Sequence, residues 1–486
     1  FAGQMGNFNF RVVFRIISNN LFILSAALLI SGAVAILAGE QVSPFLETAA
    51  LAFAVGLMLY YAARGKADHH PLNRKEAYLT VTLTWLIMSL TGSLPYLISG
   101  AIPSVTDAIF ESVSGFTTTG SSILADIEVL PKSILFWRSL THWIGGIGII
   151  VLVIIIMPAL RIGGYHLFTM ESSLQEKISP RIKTVGIYLL YIYIAMTAAE
   201  ILLLLAGGMN IFESACHAFG TVATGGFSPR NSSIAGYSPY IQYVITLFML
   251  LAGVNFIIPY YLVKKDFLKI RQNEEFRFYL VVIFIIGTFI SLSLMKDMGK
   301  SAETAFREGF FQVVSIITCT GFATADYLQW PVYAWLIIFF CMFLGGSTGS
   351  TAGGIKMVRH LIVMKNIRII FKRLSSPHAM LPIRLNKKTL NEEANNSVLT
   401  FVTLYLMVFI TGSVMLVLLG LDGATSASSV ATCMAGIGPG IGSVGPVSNF
   451  AHLPQAAKII LSLLMITGRL EIYTVLILFS PSYWKK

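Results

Sequence analysis

Charged residues are scarce in this chain. Asp, Glu, Lys and Arg make up 12% of its 486 residues, whereas soluble domains carry about 25%. Hydrophobic residues make up 55%, and the mean hydropathy is +0.75. This composition excludes an ordinary soluble protein and predicts a polytopic membrane protein.

Cysteine is also rare. The four cysteines, Cys216, Cys319, Cys341 and Cys433, lie in apolar or turn surroundings, with neither metal-ligand nor disulfide spacing. We expect them to be small buried apolar residues. Residues 1–20 lack an apolar core followed by a small-residue cleavage site, so we expect no cleavable signal peptide.

Catalytic and nucleotide-binding motifs are lacking as well. The apolar segments contain no paired carboxylates, no His-Glu-x-x-His run and no Ser/His dyad, which argues against an intramembrane enzyme. There is no Rossmann fingerprint, no Walker motif and no large soluble domain. We therefore expect no organic cofactor in this chain, and any nucleotide regulation has to come from a partner. A scaffold or receptor subunit fits the composition but does not explain the turns that follow.

The basic residues are unevenly distributed along the chain. The net charge is +11, and nine Lys and Arg fall within 356–388 alone. Hydropathy places most of the basic residues on one side of the membrane, together with both termini. By the positive-inside rule that side is the cytosol. The rule also explains the net positive charge without a nucleic-acid partner. The basic residues of 356–388 have two possible roles: they could set the orientation of the chain in the membrane, or they could form a docking site for a cytosolic partner.

Four short glycine turns recur about once every hundred residues. They read FTTTGSS at 116–122, VATGGFS at 222–228, ITCTGFA at 317–323 and AGIGPGI at 435–441, with central glycines Gly120, Gly226, Gly321 and Gly438. Each turn follows a short amphipathic run and lies between two long apolar stretches. Such a repeat predicts four backbone loops that meet on one axis.

The hydropathy pattern predicts an N-terminal two-helix hairpin followed by four pore repeats. The predicted units are 1–76 for the hairpin and 77–184, 185–277, 278–394 and 395–486 for the repeats, the third of which includes a glycine-rich loop. Each repeat has a span, a short helix, a turn and a second span, which gives ten full spans and four re-entrant segments. The short helices are predicted near 106–115, 210–221, 302–317 and 423–434, and the second spans near 133–157, 239–263, 331–344 and 454–478. The predicted fold class is an all-α polytopic membrane protein with four pseudo-symmetric repeats around a central pore.

The turns are suited to binding a cation. A short helix cannot cross the bilayer, so the turn that follows it lies within the membrane. Non-helical backbone at that depth must be buried in protein or line water. Helix C-termini carry partial negative charge, and glycine lets successive carbonyls point inward. Backbone carbonyls can replace the water around a permeating ion, so the absence of acids from all four turns is no obstacle.

The turns resemble the four filter loops of the Trk/Ktr/HKT potassium-transporter superfamily, through TTTG at 117–120, ATGGFS at 223–228, TGFATAD at 320–326 and GIGPG at 436–440. Further motifs resemble the bacterial TrkH type, namely WRS at 137–139 with WIGG at 143–146, GGSTGSTAGGIK at 345–356 and GRLEI at 468–472. The added hairpin and the length fit this type better than the shorter KtrB type. Gly436 departs from the family pattern, where we expect asparagine in many relatives.

This resemblance implies a K⁺ uptake pore in the bacterial inner membrane. The implied coordinating carbonyls belong to Thr118, Thr119, Gly120, Gly225, Gly226, Thr320, Gly321, Ile437 and Gly438. Each loop has a single matching glycine, so we expect a short filter that prefers K⁺ and Rb⁺ over Na⁺ incompletely. The family also implies a homodimer and a cytosolic NAD/ATP-binding regulatory ring of the TrkA type.

Two further features predict a gate. The glycine segment, defined here as 345–354, follows an apolar run too short to finish a crossing and weakens any helix through its five glycines. It consists of Gly345, Gly346, Ser347, Thr348, Gly349, Ser350, Thr351, Ala352, Gly353 and Gly354. The resemblance makes it an intramembrane gate; a close helix-packing seam is the alternative.

Arg469 is the second gate feature, because a charge inside an apolar span is costly and usually functional. The resemblance places it below the filter as a barrier to cations, with a structural salt bridge to Glu471 as the alternative.

Coupled transport remains open at this stage. A symporter driven by H⁺ or Na⁺ requires a titrating group or a second ion site. Glu200 is the one acid in a position to serve, and a helix–helix hydrogen bond explains it equally well. We interpret His142 and His217 as hydrogen-bonded packing residues rather than ligands.

Overall fold

The computed structural model describes residues 8–64, 73–151, 182–376 and 381–484. The end of the predicted span 133–157 and both extreme termini lie outside these residues. The helices are α1 Phe10–Ala38, α2 Ser43–Ala62, α3 Arg74–Gly92, α4 Leu94–Ile98, α5 Val105–Phe116, α6 Lys132–Val151, α7 Ile182–Ala206, α8 Ile211–Val222, α9 Pro239–Ala252, α10 Ile257–Val263, α11 Phe267–Gln272, α12 Glu274–Met298, α13 Ala302–Ile317, α14 Val332–Cys341, α15 Met357–Ser375, α16 Glu392–Leu418, α17 Gly423–Ala435, α18 Gln455–Arg469, α19 Ile472–Leu476 and α20 Pro481–Trp484. Short 3₁₀ turns cover Tyr327–Gln329, Gly442–Val444 and Ile477–Phe479.

The described residues are mostly helical, as predicted for a membrane protein. Six helices in the described ranges are long and apolar enough to cross a bilayer, or seven if the bent pair near the C-terminus counts as one span. One two-stranded antiparallel hairpin, β1 Arg384–Leu385 with β2 Lys388–Thr389, joins α15 to α16. Many large apolar side chains on the long helices are exposed, which suits contact with lipid.

The first two helices, α1 and α2, pack against each other along their length. Their backbones approach closely because small residues face each other, and two serines bond across the seam. Ser18 Oγ donates to Gly56 O at 2.7 Å, and Ser25 Oγ donates to Ala49 O at 2.9 Å. Gly39 ends α1 in the left-handed conformation, which allows the sharp reversal into α2.

The four short helices, α5, α8, α13 and α17, begin in the same way. A side-chain oxygen at each N-cap accepts the backbone N–H three residues on, which satisfies one of the free donors of the first turn. The caps are Ser104, Asn210, Ser301 and Asp422. The bounds of α13 are those predicted from the sequence, and the others agree within a residue or two. None of the four is long enough to cross a bilayer.

Within the described ranges, the second helix of the second, third and fourth predicted repeats is interrupted. The helix that begins at Pro239 stops at Ala252 and resumes at Ile257, and α14 stops at Cys341. Near the C-terminus α18 meets the segment Ile472–Phe479 at an angle of 115°. The sequence predicted unbroken helices over 239–263 and 454–478, and the structure corrects both. At the break after Ala252, the backbone groups that the helix leaves free bond to the stretch 347–349.

Candidate functional site

The four turns share one backbone conformation. Two positions in each adopt the left-handed region, namely the central glycine and the residue two before it. The earlier positions are Thr118 (φ 51°), Thr224 (φ 54°), Cys319 (φ 57°) and Gly436 (φ 71°), and the glycines are Gly120 (83°), Gly226 (75°), Gly321 (85°) and Gly438 (99°). A single register therefore relates all four turns.

Each turn is fastened to the end of its own short helix. The residue just before the central glycine donates its N–H to the carbonyl five residues earlier, the bond that closes a helix with a left-handed cap. The four bonds are Thr119 to Ser114 at 2.8 Å, Gly225 to Gly220 at 2.7 Å, Thr320 to Ser315 at 2.8 Å and Ile437 to Thr432 at 3.0 Å. The N–H groups thus point back to the helix. In the described part of the chain, no donor reaches the carbonyl oxygens of these same four turn residues.

The central glycines interlock in a closed ring. A Cβ on Gly120 would overlap the carbonyl of Gly225 in the second turn, and one on Gly226 would overlap that of Thr320 in the third. A Cβ on Gly321 would overlap the carbonyl of Ile437 in the fourth turn, while one on Gly438 would crowd Gly120 in the first. The structure therefore brings the four turns, which carry the nine predicted carbonyl residues, together in one ring in sequence order.

Contacts outside the ring hold neighbouring turns in place. Between the third and fourth units, Tyr327 Oη donates to Gly440 O at 2.5 Å, and between the fourth and first, Phe450 N donates to Ser122 O at 2.8 Å. Between the second and third, Ile234 N donates to Ala323 O at 3.0 Å.

Arg138 joins the first and second turns from a buried position. Its Nε bonds the buried carboxylate of Glu111 at 2.6 Å, and its Nη1 donates to Ser228 O at 3.0 Å. The guanidinium also lies 3.5 Å from the ring centre of Phe227. Because both charges are buried and paired, removal of either partner would leave an uncompensated charge beside the turns.

Sequence reasoning missed three positions of the ring. Thr224, Cys319 and Gly436 occupy the place that Thr118 has in the first turn, yet only Thr118 was predicted. Aligning the four turns on their central glycines would have found them. Glycine and asparagine are the residues that best tolerate the left-handed conformation, which explains why Gly436 can stand where relatives are expected to carry asparagine.

The glycine segment lies beneath the ring. It leaves α14, runs without helical structure and re-enters helix at α15, so the helix-packing alternative does not apply. Thr351 Oγ1 donates to Val222 O at 3.1 Å, at the end of α8. A Cβ on Gly353 would overlap the carbonyl of Ala435, at the end of α17. The segment thus lies directly against the C-terminal ends of two short helices.

The break between α9 and α10 supports the segment from the side. Ser347 N donates to Gly253 O at 2.8 Å, and Phe256 N donates to Gly349 O at 3.3 Å. These bonds satisfy backbone groups that the interruption of the helix leaves free. The break and the segment therefore stabilise each other.

Glu275 fastens the segment to the start of α15. Its carboxylate is 1% exposed and accepts the N–H of Thr348 at 2.8 Å and that of Val358 at 3.0 Å. Thr348 Oγ1 adds a third bond at 3.3 Å. A charged acceptor makes each such bond stronger than a neutral one. Sequence analysis did not identify this residue, because it lies 73 positions from Thr348 in the chain.

Arg469 is the last residue of α18 and lies against the segment. It is 7% exposed, and its Nη1 donates to Thr351 O at 2.7 Å while its Nη2 donates to Gly145 O at 3.2 Å. Glu471 bonds Arg359 at 2.5 Å instead, so the predicted alternative of a salt bridge to Glu471 is wrong. The structure thus brings the two predicted gate features into direct contact.

The remaining predicted residues lie outside the ring. Glu200 is fully buried in α7. His142 stacks on Phe227 at 4.0 Å, and His217 bonds Glu213 O and Ser228 Oγ, as expected of packing residues. All four cysteines are buried and free. Among the described residues no cluster of His, Cys, Asp and Glu could hold a metal ion.

Comparison with known proteins identifies the family. The TrkH family model, described as a cation transport protein, matches residues 42–486. The Trk system potassium uptake protein TrkH of Escherichia coli (strain K12) is 35% identical, over 98% of this chain and 100% of that protein. The protein of the same name from Vibrio parahaemolyticus is 34% identical, over 98% and 99%. The crystal structure of the potassium transporter TrkH from Vibrio parahaemolyticus superimposes with a TM-score of 0.89 at 33% identity, covering 98% of this chain and 100% of that one. This multi-pass membrane chain belongs to the TrkH family of cation transport proteins.

Proposed function

We propose that this chain carries K⁺ into the cell across the bacterial inner membrane, through a pore along the axis of the four turns. The proposed selectivity filter consists of the carbonyls of Thr118, Thr119, Gly120, Gly225, Gly226, Thr320, Gly321, Ile437 and Gly438. The observation that carries the proposal is the closed ring of turns, in which the carbonyls of Thr119, Gly225, Thr320 and Ile437 accept no hydrogen bond from the described residues. Relatives named for potassium uptake support the choice of ion.

In this proposal the backbone replaces the hydration shell of the ion. Four helix C-termini aim partial negative charge at the axis, which attracts cations without any acidic side chain. Preference for K⁺ over Na⁺ comes from the number and arrangement of carbonyl oxygens. Since only one glycine per turn is shared, the ordered filter is short. We expect K⁺ and Rb⁺ to pass and Na⁺ to be excluded incompletely.

The glycine segment and Arg469 form the proposed gate. The segment lies under the ends of α8 and α17 and would obstruct an ion leaving the ring, while the guanidinium repels it. The bond between Arg469 and Thr351 O supports joint movement of the two. Opening then requires the segment to leave the bonds with Gly253 O and the carboxylate of Glu275.

The wider organisation is proposed on the same basis. The hairpin at 1–76 and the repeats at 77–184, 185–277, 278–394 and 395–486 would surround the pore, with both termini in the cytosol. A homodimer and a TrkA-like NAD/ATP-binding ring on the cytosolic basic stretch complete the proposed assembly in the lipid membrane. The chain itself is proposed to have no enzymatic activity and no organic cofactor.

The test is radioactive Rb⁺ uptake into liposomes that contain the purified chain, with and without a pH gradient. A passive pore predicts uptake driven by the Rb⁺ gradient alone, and excess K⁺ should compete with Rb⁺ more strongly than excess Na⁺. Empty liposomes and the variant Arg138→Met, which removes the buried partner of Glu111, serve as controls for leak and for a damaged ring. If liposomes with the wild-type chain took up no Rb⁺, with or without the pH gradient, the proposal would be refuted.

A coupled symporter is the second candidate, favoured by the fully buried carboxyl of Glu200. In that case Rb⁺ uptake would require an H⁺ or Na⁺ gradient, and Glu200→Gln would abolish the requirement or the uptake. Uptake by Glu200→Gln at the wild-type rate, independent of any second ion, would exclude coupling through this residue.

A further inference from the structure

A cavity of about 210 Å³ lies away from the ring, between α10, α11 and the β1–β2 hairpin. Its lining includes three lysines, Lys269, Lys387 and Lys388, and the amides of Gln272 and Asn386. No acidic side chain is among the residues that line it. The cavity is therefore positively charged and rich in hydrogen-bond donors.

The charges of this cavity are only partly neutralised. Lys269 Nζ bonds Asp266 at 2.9 Å. Lys387 and Lys388, on the turn and second strand of the hairpin, have no ion-pair partner in the described part of the chain. Several donors around one small space suit an anion with several oxygens, such as a phosphate group, and the volume is several times the roughly 30 Å³ of one water.

The helix beside the cavity has the character of a membrane-surface helix. In α11, Phe267 and Leu268 are 61% and 66% exposed, and they are followed at once by Lys269 and Arg271. Exposed apolar residues next to basic ones favour the boundary between lipid tails and phosphate headgroups. Lipid phosphates would thus be concentrated at the mouth of the cavity.

The walls of the cavity are the elements that hold the glycine segment. Helix α10 begins at the break whose Gly253 O and Phe256 N bond the segment. On the other side, Asn386 and Glu274 exchange two bonds, Glu274 N to Asn386 Oδ1 at 2.8 Å and Asn386 N to Glu274 Oε1 at 3.0 Å. The next residue, Glu275, accepts bonds from Thr348 of the segment and from Val358 of α15.

We propose that this cavity binds a phosphate-bearing anion, from an anionic lipid headgroup or a soluble phosphate compound, and that the bound anion stabilises the segment in its present position. The effect on transport rests on the proposed function, whereas binding does not. A ligand favours the conformation whose pocket it fills. An anion that joins α10 to the hairpin as they now lie therefore opposes movement of the segment and lowers ion flux.

Binding is tested first, on the purified full-length chain in detergent, with fluorescently labelled phosphatidylglycerol. The double variant Lys387→Ala/Lys388→Ala should bind about tenfold more weakly, because each lysine near an anionic phosphate contributes on the order of a few-fold. The matched control Lys372→Ala/Arg373→Ala removes the same charge from the exposed end of α15 and should bind like the wild type. If both double variants bound the lipid equally weakly, the assignment of the binding site to this cavity would be wrong.

The source of the phosphate is separated by competition. Displacement of the labelled lipid by inorganic phosphate at millimolar concentration would assign the cavity to soluble phosphate compounds. Retention of the lipid under the same conditions would assign it to headgroups. Wild-type chain that binds neither probe would overturn the proposal.

Measurements of Rb⁺ uptake test whether the bound anion lowers ion flux. Rb⁺ uptake is compared in phosphatidylcholine liposomes with and without phosphatidylglycerol. The anionic lipid should reduce uptake by the wild type and by the control double variant, and should leave the pocket double variant unaffected. A reduction that persists in the pocket variant overturns the coupling. Absence of Rb⁺ uptake from every preparation would instead refute the proposed transport function. The binding assay would then still test whether the cavity binds the anion.

Discussion

The four turns and the glycine segment are both glycine-rich, non-helical and buried, yet they differ in how far local bonds hold them. Each turn is bonded to the short helix that precedes it, through the same N–H to carbonyl bond in all four units. The segment is held by groups from other units, namely the carboxylate of Glu275, the guanidinium of Arg469 and the carbonyl of Gly253. Each turn thus has a bond to its own helix in addition to contacts from other units, whereas the segment is bonded mainly to groups from distant parts of the chain.

This difference assigns a property to each region. Preorganised carbonyls suit the recognition of an ion, since no rearrangement is needed when it arrives. A segment held by a few bonds from elsewhere can have two positions that differ by a few kcal/mol, as a switch requires. Variants should therefore divide into those that change which ion passes and those that change how much passes.

The largest expected effect follows from deletion within 346–353. Removing the obstruction beneath the ring should raise Rb⁺ uptake by about tenfold or more, the equivalent of at least 1.4 kcal/mol of barrier. The ratio of K⁺ to Na⁺ competition should be nearly unchanged, because the turns keep their own helix bonds. Uptake at the wild-type rate, with normal expression, would contradict a gating role for the segment.

The ring is tested by Gly321→Ser and Gly226→Ser. The added Cβ would overlap the carbonyl of Ile437 in the first variant and that of Thr320 in the second. The neighbouring turn has to shift, and K⁺/Na⁺ discrimination should fall by about tenfold, which corresponds to 1.4 kcal/mol. Gly299→Ser is the matched control, because Gly299 has a similar φ of 61° but open space around it. Unchanged discrimination in both ring variants would refute the filter assignment.

Arg469 should have an intermediate effect. Arg469→Ala removes a positive charge from beneath the ring and a bond from Thr351 O, so Rb⁺ uptake should rise several-fold, since a charge near the ion adds a few kcal/mol to its barrier at most. Arg469→Lys keeps the charge and separates the two causes. Uptake near the wild-type rate in this variant indicates an electrostatic barrier, and a rise similar to that of Arg469→Ala indicates loss of the bond. Reduced uptake by correctly folded Arg469→Ala would refute both the electrostatic barrier and the gating role of the bond to Thr351 O.

Much of this arrangement could be predicted from the sequence because it is local. The bounds of α13, the turn that follows it and the non-helical glycine segment all depend on residues adjacent in the chain. The breaks after Ala252 and Arg469 could not be predicted, because they depend on contacts between units. Gly253 O is stabilised by Ser347 N, and Glu471 adopts a left-handed φ of 60° beside its partner Arg359. Glu275 was missed for the same reason.

Glu275 gives the smallest predicted effect and the sharpest test of the comparison. Glu275→Ala removes the acceptor shared by Thr348 and Val358, and each bond to a charged group contributes about 1.5–3 kcal/mol. Water can satisfy part of this loss, so we expect Rb⁺ uptake to rise about threefold. Glu275→Gln keeps one oxygen acceptor of similar size and should lie between Glu275→Ala and the wild type.

The competition ratio between K⁺ and Na⁺ decides what the change in uptake means. Loss of Glu275 should leave that ratio unchanged, because no bond of a turn to its own helix involves this residue. A general loosening of the fold would lower discrimination together with any rise in uptake. If Glu275→Ala changed discrimination as strongly as Gly321→Ser does, the turns would depend on the segment for their geometry. Selection and gating would then be one property of a single structure rather than two properties held by different sets of bonds.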